Sequence, residues 1–65
     1  MTAIKYYREK KGFTQAQLAA KMNTVQSAIA MWESGERFPR TNKLQELARV
    51  LGCTVDELFQ DTGQD

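Results

Sequence analysis

The chain has 65 residues, a formal net charge of +1, no histidine and a single cysteine. A chain of this length forms one domain and buries only about 60% of the surface that its unfolded form exposes. Without histidine it has no Ser-His or Cys-His nucleophile pair, and one thiol excludes an intrachain disulfide or a multi-thiolate zinc site. We therefore expect a small binding module that uses no cofactor and is not an enzyme.

The small net charge is the sum of two parts of opposite sign. Residues 1–43 carry eight basic and three acidic side chains, a balance of +5, and residues 44–65 carry one basic and five acidic side chains, a balance of −4. Such a division suggests that one end of the molecule faces a polyanion, although a chance distribution of surface charge explains it equally well. No signal-peptide core or bilayer-length apolar run is present, which predicts a cytoplasmic protein without membrane contacts.

Apolar residues recur at helical spacing, and no stretch alternates in the manner of a strand. The first predicted helix covers about residues 3–11 and stops at Gly12, which suits a left-handed cap. Thr14 and Gln17 form a capping box that opens the second helix. The apolar sides of these two helices are Ile4 and Tyr7, and then Leu18, Ala19 and Met22.

A turn at Asn23 and Thr24 separates the second helix from the third, because Asn tolerates positive φ and Thr is a good N-cap. The third helix is predicted over residues 25–34, ending at Gly35. Its inward side chains are predicted to be Val25, Ile29 and Trp32.

After a loop that contains Pro39, Thr41 is predicted to cap a fourth helix that ends at Gly52. Thr54 and Glu57 form a second capping box, which opens a short fifth helix. The predicted inward residues are Leu44, Leu47, Ala48 and Leu51 in the fourth helix, and Val55, Leu58 and Phe59 in the fifth. The sequence therefore predicts an all-α domain of five helices over residues 1–60, followed by a frayed tail at 61–65.

Two short helices joined by a tight turn are the layout of a helix-turn-helix, whose second helix enters the DNA major groove. The residues at 12–19, 25–29 and 32–35, continued through 47–52 and 54–58, resemble the Cro and phage-repressor type, the XRE family. That resemblance implies a lambda repressor-like five-helix fold. Asn23 stands where the family often has Gly, and it keeps the left-handed conformation available.

The outward face of the third helix carries no charge, which is unusual for a solvated helix face. Gln can pair with adenine, Ser can donate or accept a hydrogen bond, and Ala or Met can contact a thymine methyl group. The alternative is that Met31 packs against a neighbouring helix or a dimer partner. The predicted base-reading residues, which the resemblance also implies, are Gln26, Ser27, Ala30 and Met31.

Predicted phosphate contacts surround this face. Gln15 begins the second helix, where free N–H groups attract an anion, and the resemblance implies that it also supports Gln26. Ser34 and the cations on or beside the loop at 35–40 are the remaining candidates, and the alternative for each cation is a freely solvated side chain. The predicted set is Gln15, Ser34, Arg37, Arg40 and Lys43.

The resemblance also implies a structural ion pair between Arg8 and Glu33. Together these residues predict a sequence-specific regulator of transcription, a repressor, that binds double-stranded DNA as a homodimer on a pseudo-palindromic operator. Residues 51–59 are the candidate dimer surface. The alternative is a protein-interaction module on the same fold, such as an antitoxin or adaptor that binds DNA weakly.

Overall fold

The computed structural model describes residues 3–59, which contain five α-helices and no strand. The prediction of an all-helical chain is confirmed, with boundaries that differ from it by one or two residues. The helices are α1 (Ile4–Lys10), α2 (Gln15–Lys21), α3 (Gln26–Ser34), α4 (Thr41–Leu51) and α5 (Val55–Leu58). The tail predicted at 61–65 lies outside the described residues.

Both capping boxes predicted from the sequence are formed. The Thr14 hydroxyl accepts from the Gln17 N–H at 3.0 Å, and the Gln17 side chain accepts from the Thr14 N–H at 2.8 Å. The equivalent bonds between Thr54 and Glu57 measure 3.1 and 2.8 Å. Each box gives partners to two backbone N–H groups at a helix start and fixes where α2 and α5 begin.

The turn between α2 and α3 has Asn23 in the left-handed conformation, with φ of 56°. The Asn23 N–H donates to the Ala20 carbonyl at 3.2 Å, and the Thr24 N–H donates to the Ala19 carbonyl at 2.9 Å. These two bonds are the Schellman pattern that closes a helix. Thr24 therefore ends α2 and does not cap α3, contrary to the prediction.

The N-caps of α3 and α4 therefore both differ from the prediction. The cap position of α3 is taken by Val25, whose backbone is extended and whose side chain makes no capping bond. Thr41 is the first residue of α4, and Arg40 occupies the cap position without a side-chain bond.

The five helices enclose one apolar core. It contains the predicted inward residues of α2 and α4 together with Ile29, Trp32 and Leu58. Two residues predicted to point inward do not: Val25 is 63% exposed and Phe59 is 56% exposed. Val25 precedes the first turn of α3, so the helical period does not apply to it, and Phe59 follows the last turn of α5. No helix in the described part of the chain is long and apolar enough to cross a membrane.

Candidate nucleic-acid interface

A chain of hydrogen bonds runs from the buried interior to the start of α3. The Arg8 guanidinium donates to both carboxylate oxygens of Glu33, with Nε–Oε2 at 2.5 Å and Nη2–Oε1 at 3.3 Å. Oε1 of Glu33 also accepts from Nε2 of Gln15 at 3.0 Å. Oε1 of Gln15 in turn accepts from Nε2 of Gln26 at 3.4 Å. Four of the residues singled out in the sequence are thereby connected.

The chemistry of Glu33 fixes the direction of this chain. An ionised carboxylate only accepts hydrogen bonds, so the amide of Gln15 turns its NH₂ group towards Glu33 and its oxygen towards Gln26. Gln26 must then donate to Gln15. Its second N–H and its carbonyl oxygen are left for an external partner. The exposed amide at the start of α3 therefore offers one donor and one acceptor side by side.

Arg8 and Glu33 are both buried, at the facing sides of α1 and α3. Nη1 of Arg8 also donates to the Phe13 carbonyl at 2.7 Å, which attaches the α1–α2 connection to the same group. Among the described residues, no buried side-chain nitrogen or oxygen is without a hydrogen-bond partner. Because removal of either partner would leave a buried charge, such a change typically costs about 3–5 kcal/mol.

The outward face of α3 divides into two parts. Gln26 and Ser27 are exposed, whereas Ala30 and Met31 are half-buried. The exposed part lies in the first turn of the helix, the end whose residues contact base edges in helix-turn-helix proteins. No charged residue occurs in α3 before Glu33, so this face approaches a partner without the desolvation of a charge.

Ser34, a predicted phosphate contact, already uses its hydroxyl proton within the chain. The hydroxyl donates to the Met31 carbonyl at 3.1 Å and accepts from the Glu36 N–H at 3.2 Å. A phosphate oxygen needs a donor, and a serine hydroxyl has only one proton to give. Ser34 therefore stabilises the end of α3. A hydrogen bond from its hydroxyl to a phosphate would require the hydroxyl to give up its bond to the Met31 carbonyl.

The three predicted cations have different surroundings. Arg37 and Arg40 are exposed, and no residue between 3 and 59 forms an ion pair with either. Lys43 is half-buried: its ammonium donates to the Met22 carbonyl at 2.9 Å and lies 3.9 Å from the Glu46 carboxylate. Lys43 thus links α4 to the last residue before the α2–α3 turn. Its predicted contact with phosphate stays a prediction.

Sequence reasoning missed two features near this face. It did not foresee the bond from Gln15 to Glu33, because residues 18 apart in sequence give no pattern that pairs them. It also missed the contact between the exposed rings of Phe38 and Phe59, whose centroids lie 5.9 Å apart. Loop length and helix order, which the sequence does indicate, are not enough to predict that these two rings are in contact.

The other titratable groups in the described region do not form a reactive centre. Burial raises the pKa of the Cys53 thiol, and the nearby Glu57 carboxylate raises it further. The same two causes raise the pKa of Tyr7. A thiol with a raised pKa is a poor nucleophile, and within residues 3–59 no three acidic or thiol side chains come together as a metal site requires.

Comparison with known proteins identifies relatives of this chain. The family model described as helix-turn-helix matches residues 4–58. The HTH-type transcriptional activator BcrR of Enterococcus faecalis is 34% identical over 86% of this chain and 28% of its own. The 26 kDa repressor protein of Escherichia phage HK022 is 45% identical over 63% of this chain and 17% of its own. An HTH-type transcriptional regulator of Archaeoglobus fulgidus is 33% identical over 89% of this chain and 83% of its own. The chain thus spans less than a third of the first two relatives.

Proposed function

Because the chain belongs to the helix-turn-helix family, as its resemblance to the XRE type indicated, we propose that it is a sequence-specific, double-stranded DNA-binding regulator of transcription. It acts in the cytoplasm as a repressor, without catalysis and without a small-molecule ligand. Relatives whose names describe them as regulators and repressors support this proposal. The observation that carries it is the hydrogen-bond chain that ends in the exposed amide of Gln26.

The orientation of that amide favours adenine. In the major groove, adenine offers the N7 acceptor beside the N6 donor, whereas guanine offers two acceptors, N7 and O6. Gln26 has one free N–H and one free oxygen after its bond to Gln15. These match adenine N7 and N6, while guanine would need both N–H groups. Ser27, Ala30 and Met31 contribute the remaining base contacts along α3.

Phosphate contacts position α3 in the groove. Gln15 begins α2 beside the start of α3, where its backbone N–H can face a phosphate. Arg37 and Arg40 are free of ion pairs with described residues, so binding to DNA breaks no such contact. In this proposal, the loop that follows Ser34 runs beside the phosphate backbone of the DNA. Lys43 is less available than Arg37 and Arg40, because one N–H of its ammonium already donates to the Met22 carbonyl.

A homodimer on a pseudo-palindromic operator completes the proposal. One helix reads only a few base pairs, and two copies related by a two-fold axis place their recognition helices about 34 Å apart. A molecule 31 Å long and 23 Å wide suits that spacing. Within the candidate surface at 51–59, Leu51 and Leu58 are buried in the monomer core. The exposed pair Phe38 and Phe59 is therefore the proposed centre of the contact.

The test is selection of DNA from a randomised duplex pool by the purified chain at physiological salt, followed by sequencing of the retained DNA. We expect an enriched motif that contains adenine in each of two half-sites with two-fold symmetry. A pool without enrichment contradicts sequence-specific binding.

A companion measurement distinguishes a DNA-binding regulator from the alternative, a protein-interaction module. The affinity of the chain for the selected duplex is measured as a function of salt concentration. Steep weakening with salt reports released counterions and hence phosphate contacts. A flat dependence favours a protein partner for the neutral face of α3.

A further inference from the structure

Val25 is an exposed apolar side chain at the N-cap of α3, a position where it helps the fold little. Val is among the poorest N-cap residues, and Ser or Thr at a cap typically stabilises a helix by about 0.5–2 kcal/mol. α2 and α5 both begin with a Thr cap. At the start of α1, Ala3 is fully buried and adds to the core. Val25 neither caps its helix nor fills the interior.

Local rules of stability are most often broken where a residue serves another purpose. Val25 directly precedes Gln26 at the end of α3 that faces bases in this family. It presents two methyl groups beside a polar amide. We propose that Val25 is a specificity-determining residue that contacts the 5-methyl group of a thymine in the major groove. This inference rests on the proposed function of the chain.

The reach of Val25 restricts which thymine it contacts. Consecutive Cα atoms lie 3.8 Å apart, and successive base pairs are separated by about 3.4 Å along the duplex. A residue next to Gln26 therefore meets the same base pair as Gln26 or an adjacent one. The expected target is a thymine at, or one step from, the A·T pair that Gln26 reads.

Apolar contact is the chemistry that suits both partners. The 5-methyl group of thymine is the one apolar feature in the major-groove edge of the base pairs. The outward side chains Gln26 and Ser27 each offer polar groups, whereas Val25 offers only carbon and is 63% exposed. Burial of one methyl group against another is expected to change affinity about fourfold.

The test combines Val25→Ala with replacement of single thymines by deoxyuridine, which lacks only the methyl group. The duplex is the motif selected by the unmodified chain. At one thymine per half-site, we expect deoxyuridine to weaken binding of the unmodified chain about fourfold per half-site and to leave binding of V25A unchanged. Equal losses for both proteins at every thymine overturn the inference.

A stability measurement distinguishes this role from a purely structural one. Val25→Thr supplies a capping hydroxyl and keeps one methyl group, so we expect a higher melting temperature together with a smaller penalty for deoxyuridine. A variant that gains stability and keeps the full penalty contradicts the proposed contact. Because Val25 is exposed, V25A is expected to melt within a few degrees of the unmodified chain.

The outcomes also separate this inference from the proposed function. A pool without enrichment denies sequence-specific binding and with it any base contact by Val25. An enriched motif whose thymine methyl groups show no coupling to Val25 leaves the regulator proposal standing and rejects only the inference.

Discussion

At the scale of single residues, Gln26 and Arg40 are proposed to make different contacts with a DNA duplex, Gln26 with a base and Arg40 with a phosphate. Gln26 presents an oriented amide, whereas Arg40 presents a positive charge that forms no ion pair with any residue from 3 to 59. Gln26→Ala should reduce discrimination at one base pair by about 1–3 kcal/mol. Arg40→Ala should weaken all sequences alike and reduce the slope of log affinity against log salt by about one. Binding titrations on matched and mismatched duplexes at several salt concentrations measure both effects, and identical behaviour of the two variants contradicts the division of roles.

Lys43 gives a second prediction at this scale. Because its ammonium donates to the Met22 carbonyl, Lys43→Met should lower the free energy of unfolding by about 1 kcal/mol. Its effect on the salt slope should be smaller than that of Arg40→Ala. Chemical denaturation and salt-dependent binding are the measurements. A slope change equal to that of Arg40→Ala would contradict this ranking and show that Lys43 contacts phosphate as strongly as Arg40.

The residues of the candidate site could be predicted from the sequence more readily than the hydrogen bonds between them. Gln15, Gln26, Arg8 and Glu33 were singled out through residue type and resemblance. The link from Gln15 to Glu33 could not be predicted, because it depends on the packing of α1, α2 and α3 around one carboxylate. The bond from Lys43 to Met22 likewise depends on where α4 crosses the α2–α3 turn.

At the scale of elements, the left-handed Asn23 sets the turn between α2 and α3. A residue with a Cβ and no compensating side-chain bond is strained in this conformation by about 1–2 kcal/mol. Asn23→Ala should therefore destabilise the chain by about 1 kcal/mol, whereas Asn23→Gly should keep or raise its stability.

Thermal unfolding measures both variants, and Asn42→Ala is the matched control. Asn42 lies in the first turn of α4 with helical backbone, where Ala is the better helix former. If Asn23→Ala and Asn42→Ala change the melting temperature equally, the backbone of the turn is not the cause.

Helix starts show where sequence patterns succeed and where they fail. Thr14 and Thr54 were predicted correctly because a glutamine or glutamate three residues later completes each box. Thr24 and Thr41 have no such partner: residue 27 is Ser, and residue 44 is Leu. Thr24 was also required to close α2. A lone threonine before an apolar run is thus a weaker signal than the complete box.

At the scale of the whole molecule, the exposed pair of Phe38 and Phe59 is the proposed centre of a homodimer. A stable interface buries about 800 Å² on each partner, so two rings supply a minority of it and the rest comes from neighbouring surface. Phe38→Ser should weaken binding to a two-half-site operator at least about tenfold, which corresponds to 1.4 kcal/mol. Binding to a single half-site should not change.

Sedimentation analysis with full and half operators measures this prediction. Tyr6→Ser is the matched control, since Tyr6 is an exposed aromatic residue on α1. Equal affinity of Phe38→Ser and the unmodified chain for the full operator would move the dimer contact elsewhere.

The hydrogen bonds that run from Glu33 to Gln26 also limit how this protein could change the DNA sequence that it binds. Replacing Gln26 alone leaves the oxygen of Gln15 without its donor, and replacing Gln15 alone removes the group that orients Gln26. A single substitution therefore disturbs both the old preference and the scaffold of any new one. Retargeting this protein, in the laboratory or over generations, should proceed through paired changes at positions 15 and 26, with Glu33 as the fixed point from which both are oriented.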